Sequence, residues 1–331
     1  GILNSVHTFA NDPSRGIFIL CFLFFLITIS LIIFFIFNKE KQKDYKKIYF
    51  FSKEVSILVN NWFLMYFLSV VLIGTIYPIF LEVITNEKIS VGPPFYNKLL
   101  IPFLIPFLFA MSIGPKLKWI KSDFKNKFFL ILFLIISFLI SALIIKNFDI
   151  DFLTNTILVT ASIYLFLVTL RDFFVKEHTK LSQKIAHFGF SVLILSILFN
   201  NIFSTEIITN LKVGETFQSD ELKINFKSVN KINQQNYEAI VGEFKIEDSD
   251  GKIVVLNPEL RIYNQPNIIT SEADIKTNLV EDKFITMNVV NNQEYFNIRY
   301  QIKPYMFWIW LSVLLISLGG IRSLFKNKYE K

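Results

Sequence analysis

Seven long apolar stretches, separated by polar segments, dominate the hydrophobic pattern of this chain. A membrane-spanning helix needs roughly 20 predominantly apolar residues to cross a hydrocarbon core about 30 Å thick. Measured against that length, the pattern predicts seven spans: Gly16–Phe37, Asn60–Leu81, Lys98–Ile113, Lys127–Ile145, Phe152–Leu170, Ile185–Ile202 and Tyr305–Leu324. The third is short and contains two prolines, Pro102 and Pro106. Membrane helices tolerate proline where neighbouring groups satisfy the freed carbonyls, so we expect a kinked span there.

A long polar stretch, Phe203–Pro304, separates the sixth and seventh predicted spans. Within it, Leu222–Val229 alternates between apolar and polar residues, and Ile240–Ile246 is rich in β-branched residues. The Asp-Gly pair that ends at Gly251, just before Lys252–Leu256, is a strong hairpin signal. The pattern therefore predicts a polytopic α-helical membrane protein with about seven transmembrane helices and one extracytoplasmic small β-rich domain.

Basic residues are distributed unevenly between the two sides of these predicted spans. The short segments on one side, counted with Lys127 at their edge, carry 19 Lys+Arg, whereas those on the other side carry 4. Because cytoplasmic loops are enriched in Lys and Arg, the basic side is predicted to be cytoplasmic or on the matrix side. The predicted order is an extracytoplasmic segment (residues 1–15), a six-helix transmembrane region (16–202), an extracytoplasmic β-rich domain (203–304), and the last span with a cytoplasmic tail (305–331).

The composition narrows the class of protein further. Of the 331 residues 53% are hydrophobic, and their uninterrupted runs exclude a cytosolic globular or disordered protein. The net charge of +7 lies in the predicted cytoplasmic loops, so it indicates orientation and argues against nucleic acid as a partner. The single cysteine, Cys21, excludes an internal disulfide and a cysteine-based metal cluster. Because the chain begins at Gly1 without a signal peptide, we expect a processed or truncated piece of a longer protein.

His187 is the most informative single residue. It follows Lys184 by three residues, about 5 Å along a helix axis, and no other histidine lies within a predicted span. An ionisable side chain in a membrane helix usually faces a partner, a cofactor or a water path. A neutral imidazole is a good iron ligand, and Phe188 and Phe190 would suit a porphyrin edge. The alternative is a packing histidine bonded to a backbone carbonyl, or one whose side chain extends to the membrane interface, and position alone does not favour it or the functional interpretation.

His7 lies just outside the first predicted span. A lone exposed histidine is most often solvated and idle, but the pattern around this one is more specific. Asp12 could cap a helix that opens at Pro13, and Arg15 could pair with an anionic headgroup or a propionate. That arrangement would present His7 to a ligand lying flat on the outer surface. The third histidine, His178, lies between charged residues and is predicted to be a solvated loop residue.

Several segments taken together resemble CcmF, the large membrane subunit of the cytochrome c haem lyase in the bacterial and plant-mitochondrial maturation system. They are Ser5–Gly16 (SVHTFANDPSRG), Val59–Pro78 (VNNWFLMYFLSVVLIGTIYP), Ile89–Asn97 (ISVGPPFYN), Met111–Trp119 (MSIGPKLKW), Ala186–Gly189 (AHFG), Pro258–Tyr263 (PELRIY), Thr270–Ala273 (TSEA) and Trp308–Gly320 (WIWLSVLLISLGG). The resemblance runs nearly from end to end. It implies that His7 helps to ligate a transient substrate haem and that His187 is an axial iron ligand of a permanent haem b.

The sequence also departs from that family in one large respect. The family carries a tryptophan-rich WWD segment and the second histidine of each ligand pair in its N-terminal half, and none of these is here. The chain therefore resembles the C-terminal half alone, from a split gene or a fragment. The resemblance implies that it shares each haem with a histidine absent from this chain.

The function implied is that of one part of a haem lyase, with no residue of this chain assigned as catalytic. The haem would be attached through thioether bonds to the Cys-X-X-Cys-His sites of apocytochrome c. The implied partners are the N-terminal half with the WWD segment, CcmH, CcmI, the haem chaperone CcmE, apocytochrome c and membrane lipid. The implied location is the bacterial inner membrane, with the β-rich domain in the periplasm, or the mitochondrial inner membrane.

Two other functions are weighed against this one. A transporter component would use His187 in a proton or substrate path, and it predicts a polar stripe across several spans. Apart from His187, the predicted spans contain almost no such stripe. A non-catalytic scaffold would dock the other subunits on the β-rich domain, and it predicts that both His7 and His187 are dispensable.

Overall fold

The computed structural model describes residues 13–37, 49–85, 89, 91–122, 128–146, 148, 151–175, 180–219, 222–248, 251–264, 267–290 and 294–325. The chain divides into two compact units, Gly1–Phe124 and Lys125–Lys331. Within the described residues, the first unit holds three α-helices and one short 3₁₀ turn, and the second holds four α-helices and ten β-strands.

The first unit is helical. Its elements are α1 (Pro13–Phe37), α2 (Lys53–Thr85), α3 (Pro93–Ile113) and a 3₁₀ turn (Gly114–Lys116). Aromatic side chains join α2 to α3, with the rings of Tyr66 and Phe103 4.1 Å apart. The Tyr66 hydroxyl also donates a 3.0 Å hydrogen bond to the carbonyl of Leu99. Because a proline crowds the carbonyls of the preceding turn, this bond supports α3 where it continues through Pro102.

The second unit contains the helices α4 (Phe128–Ile145), α5 (Phe152–Arg171), α6 (Leu181–Phe203) and α7 (Met306–Leu324). They pack in the order α4, α5, α6, α7, and α5 is the most buried of the four. Serine and threonine hydroxyls in these helices donate to the carbonyl four residues back, as Ser141 does to Ser137 and Thr160 to Thr156. Such internal bonds satisfy the hydroxyls without water, as a membrane interior requires.

Six of the described helices, α2 to α7, are long and apolar enough to cross a membrane. In α1 the apolar stretch assessed, Cys21–Phe37, is shorter. The predicted fold class, a polytopic helical membrane protein with a β-rich domain, is confirmed. Several helices are longer than the predicted spans. For example, α6 begins at Leu181 rather than Ile185, because the polar residues Ser182 and Lys184 also adopt helical backbone in its first turn.

The backbones of α6 and α7 come into close contact. A Cβ atom added to Gly189 of α6 would lie 2.9 Å from the backbone nitrogen of Ile316. A Cβ atom added to Gly319 of α7 would lie 2.7 Å from the backbone nitrogen of Ala186 and 2.9 Å from the carbonyl oxygen of Ser182. Small residues let helix backbones approach in this way, and the gain is close packing over the facing surfaces. The two glycines therefore set the separation of α6 and α7.

Ten strands lie between α6 and α7. They are β1 (Thr205–Leu211), β2 (Thr216–Gln218), β3 (Leu222–Asn233), β4 (Tyr237–Asp248), β5 (Ile253–Leu256), β6 (Glu259–Asn264), β7 (Asn267–Glu272), β8 (Asp274–Thr277), β9 (Glu281–Val289) and β10 (Phe296–Pro304). One sheet has the order β1-β10-β9-β8, and the other has the order β2-β3-β4-β6-β7 with β5 also paired to β4. The paired strands are antiparallel. The predicted hairpin is present, with Gly251 at φ +73° in the turn and Glu247 opposite Ile253.

The two sheets bury one apolar core between them. Alternate residues of both sheets point into it: Leu211, Leu222, Ile224, Phe226, Phe244, Ile246, Leu256, Leu260, Ile285, Met287, Ile298 and Tyr300. The rings of Phe226 and Phe244 stack with centroids 4.3 Å apart. A Cβ atom on Gly242 would lie 2.8 Å from the Phe244 ring, so the ring occupies the space that a side chain would need. The period-2 pattern of β3 and β4 thus produces a two-layer domain.

A charge cluster around the buried Lys283 links the two sheets. The ammonium of Lys283 on β9 is hydrogen-bonded to the carboxylate of Asp248 on β4 and lies 3.2 Å from a carboxylate oxygen of Glu281. Burial lowers the pKa of Lys283, but the bonds to Asp248 and Glu281 outweigh it and leave the pKa raised. Burial, with the charges of Asp248 and Glu281, also raises the pKa of Tyr300. Lys283 is therefore held in its charged form.

The strand pair that joins the β domain to the membrane is a direct continuation of the helix pair. α6 ends at Phe203, and β1 then pairs with β10 so that Thr205 lies opposite Ile302. The amide of Asn200 donates to the carbonyl of Pro304 at 2.6 Å. Tyr305, at φ +62°, then turns the chain from β10 into α7. Both ends of the domain are thus held at the ends of α6 and α7.

The close approach of α6 and α7 predicts different effects for two adjacent glycines. Gly319→Ala places a methyl group against the backbone of α6, so we expect the protein in detergent to lose about 1–3 kcal/mol of unfolding free energy. Gly320→Ala is the control, since nothing lies within 4 Å of its added Cβ, and it should be neutral or slightly stabilising. The measurement is thermal denaturation of both variants, and equal melting temperatures would contradict the packing argument.

The charge cluster predicts a cost for removing its cation. Lys283→Ala leaves the carboxylates of Asp248 and Glu281, which are 22% and 29% exposed, without their partner, which should cost about 1–3 kcal/mol. Lys231→Ala, at an exposed position on β3, is the control and should change stability little. Chemical denaturation followed by the β-sheet circular dichroism signal measures both. A similar small effect for both lysines would show that the cluster does not stabilise the domain.

Candidate functional site

Of the predicted iron ligands, the described part of the chain includes His187, and His7 lies outside it, as does His178. His187 is the seventh residue of α6 (Leu181–Phe203), about 9 Å from the start of the helix at 1.5 Å per residue. The structure therefore tests the surroundings of His187, and the role of His7 stays a prediction.

The two residues after His187 fix the rotation of α6. The Phe188 ring packs against α5 and its end, with centroids 5.6 Å from Phe166 and 5.5 Å from Phe173. Gly189 faces the backbone of α7. Successive helical residues are about 100° apart, so with Phe188 on α5 and Gly189 on α7 the third side of α6 belongs to His187. Ile194 lies on that same side, two turns further along.

The imidazole of His187 combines partial burial with an unpartnered nitrogen. The residue is half-buried, while its Nδ1 atom is enclosed and has no hydrogen-bond partner among the described residues. A buried polar atom without a partner costs about 1–3 kcal/mol, so such atoms usually have a ligand or a functional role. Because Nδ1 is enclosed, Nε2 is the ring nitrogen through which an iron from outside the chain would be bound. Within the described residues, Nδ1 makes no hydrogen bond to a backbone carbonyl of the kind that a packing histidine makes.

The end of α5 lies beside this ring and is capped by α6. The ammonium of Lys184 donates to the carbonyls of Asp172 at 2.5 Å and Val175 at 3.1 Å. It thereby satisfies the carbonyls that a helix end leaves free. Asp172 is buried, and its charge interacts with the imidazole of His187. Lys184 therefore fixes α6 against α5 one turn before His187.

A second polar contact joins α5 to α6 one turn after His187. The hydroxyls of Thr169 and Ser191 are 2.8 Å apart, and both are buried. Together with the Lys184 bonds, this contact brackets His187 on the α5 side. Sequence reasoning missed both residues as well as the glycine contacts. The available signal was the row of small residues Ser182, Ala186 and Gly189, spaced to lie on one helix face.

The described residues offer single ligands rather than a complete metal site. Within them, no group of three or more His, Cys, Asp or Glu side chains could hold a metal ion. Cys21 is free and exposed, and so is not part of such a group. His187 can therefore contribute one ligand to a metal that is also held from elsewhere, which is how an axial haem ligand acts.

Comparison with known proteins gives a consistent result. Residues 202–304 match the family model described as the CcmF C-terminal beta-sandwich, which corresponds to β1–β10. The whole chain is 28% identical to cytochrome c-type biogenesis protein CcmF of Pseudomonas fluorescens and 28% identical to that of Escherichia coli K12, covering 52% of each protein. It is also 26% identical to cytochrome c-type biogenesis protein NrfE of Haemophilus influenzae, with 54% of that protein covered.

A solved structure shares the fold. The structure described as cytochrome c heme lyase CcmF matches with a TM-score of 0.66 and 21% sequence identity, over 84% of this chain and 46% of that chain. The chain thus spans about half the length of the curated relatives it matches.

Proposed function

The predicted resemblance to the C-terminal half of the CcmF family is confirmed, and on that premise we propose that this chain takes part in cytochrome c maturation as one part of a membrane haem lyase. The observation that carries the proposal is the half-buried imidazole of His187, whose enclosed Nδ1 has no partner among the described residues. It lies in a membrane-spanning helix that is fixed on both sides. The lyase activity belongs to the proposed assembly of this chain with an N-terminal half.

In this proposal His187 is one axial ligand of a permanent haem b. A neutral imidazole is a common haem ligand, and its orientation here is set by Phe188 and Gly189 on the next two positions of α6. The bound haem b would supply one-electron transfer that keeps the substrate haem reduced. The second axial ligand would be a histidine of the N-terminal half, because His187 is the single histidine in the described helices.

His7 has a separate role in the proposal. It would hold the iron of the transient substrate haem delivered by CcmE, while the vinyl groups of that haem add the two thiols of an apocytochrome c Cys-X-X-Cys-His site. The protein would position and tune the haem, and the bond-forming chemistry would belong to the haem and the thiols. CcmH and CcmI would complete the assembly.

The proposed location follows from the charge asymmetry of the loops. The Lys- and Arg-rich side would face the cytoplasm, and the segment with His7 (residues 1–15) would face the periplasm together with the β-rich domain (203–304). The six-helix region (16–202) and the last span with its tail (305–331) would lie in the bacterial inner membrane. Membrane lipid would then contact the exposed faces of α2–α7.

The haem b assignment predicts a spectroscopic loss in a His187 variant. In the complex with the N-terminal half, His187→Gly should reduce the haem-to-protein ratio at least about tenfold, since the iron loses one ligand. His178→Gly, outside the predicted spans, should leave the haem absorbance unchanged. Free imidazole should restore the spectrum of His187→Gly, because it can occupy the vacated ligand position. An unchanged bis-histidine spectrum in His187→Gly would disprove the assignment.

The substrate-haem role predicts a different phenotype for His7. Cells that lack their own maturation system and carry His7→Ala should produce little cytochrome c, while the haem b spectrum of the complex stays intact. The yield of haem-stained cytochrome c measures this. A wild-type yield would remove His7 from the mechanism, and wild-type yields from both His7 and His187 variants would favour the scaffold function.

A further inference from the structure

The turn between β8 and β9 exposes two adjacent aliphatic side chains. Leu279 is 61% exposed and Val280 is 62% exposed. The turn is held rigid by Asn278, whose side-chain oxygen accepts bonds from the backbone nitrogens of Val280 at 2.7 Å and Glu281 at 2.8 Å. Asn278–Val280 are called the β8–β9 tip below. Exposed aliphatic residues are common on protein surfaces, so what this pair does depends on where the tip lies.

The β8–β9 tip is bonded to the first turn of α7. The indole nitrogen of Trp308 donates to the carbonyl of Leu279 at 2.9 Å, and the backbone nitrogen of Tyr305 donates to the carbonyl of Val280 at 2.7 Å. These two bonds fix the height of the tip relative to the helix, because they join its backbone to the residues where α7 begins.

The length of α7 places that first turn at the membrane boundary. α7 has 19 residues, or about 28 Å at 1.5 Å per residue, which is close to the thickness of the hydrocarbon core. Its first turns carry Trp308 and Trp310, which are 40% and 66% exposed. Exposed tryptophans concentrate at the boundary between headgroups and acyl chains. The β8–β9 tip is hydrogen-bonded to Tyr305 and Trp308, and so lies beside the part of α7 expected at this boundary.

We propose that the β8–β9 tip inserts into the boundary region of the lipid leaflet on the side of the β domain. Lipid is the partner indicated, because the tip is bonded to the first turn of α7, a helix long and apolar enough to cross a membrane. The adjacent carboxylate of Glu281 lies 3.2 Å from the ammonium of Lys283, so this charge next to the tip is paired. The tip gives the β domain a third attachment to the membrane, beyond its two covalent ends. This inference does not depend on haem binding.

The test places a fluorescent label at the tip of the full chain in lipid nanodiscs. Cys21, the single cysteine, is first replaced by serine, and Leu279→Cys is then labelled with bimane. Ile269→Cys is the matched control, since Ile269 is 66% exposed but belongs to β7. The neighbourhood of Ile269 is also far from the tip. Ser271 of β7 donates a hydrogen bond to the carbonyl of Met287 on β9, and Met287 is six residues, or about 20 Å, along that strand from Glu281 at the tip end.

Quenching by nitroxide-labelled lipid should be about threefold or more stronger at position 279 than at position 269, because the boundary region is only about 5–10 Å deep. Quenching by aqueous iodide should show the reverse order. Val280→Cys provides a second labelled position if Leu279→Cys does not fold, and circular dichroism checks folding. A label at 279 that iodide quenches as strongly as at 269 would show a solvated tip. Protection from both quenchers would show that a protein partner covers it, and either result would overturn the proposal.

Discussion

The packing of α6 against α7 at Gly189 and Gly319 is the contact on which the rest of the second unit depends. It brings two helix backbones close enough that a methyl group at either glycine would meet the opposite main chain. Because the backbones are in contact, neither helix can rotate or slide without losing dispersion contacts along its length. That restriction determines the direction of His187, and it carries directly into the pairing of β1 with β10.

Three contacts fix α6 around His187, and none of them is made by the His187 side chain. Phe188 packs against α5, Gly189 packs against α7, and Lys184 caps the carbonyls at the end of α5. Each contact uses a neighbour of His187, so the imidazole is oriented by its helix and makes none of these contacts itself. Support from neighbouring residues is what fixes the orientation of a side chain that binds a ligand.

The fold could be predicted from sequence because its main signals are local. A bilayer dictates the length of an apolar stretch, and an Asp-Gly turn between two strands dictates a hairpin. His187 was also identified locally, as an ionisable residue in an apolar run. The contacts that orient it were not, because Gly189 meets α7 from far along the chain and Lys184 bonds to a carbonyl of another helix. The boundaries of the four predicted regions and the role of His7 stay predictions.

The α6–α7 contact also has a consequence for how the protein assembles. Its two halves are separated along the chain by all ten strands, from Thr205 to Pro304. During synthesis α6 is complete long before α7 exists, so the face with Gly189 must first meet lipid or another helix. The contact can close only after the whole β domain has been made, and closing so long a loop is entropically slow. The helix that holds His187 therefore reaches its final position late, so the surroundings of His187 are complete only after the β domain has been made.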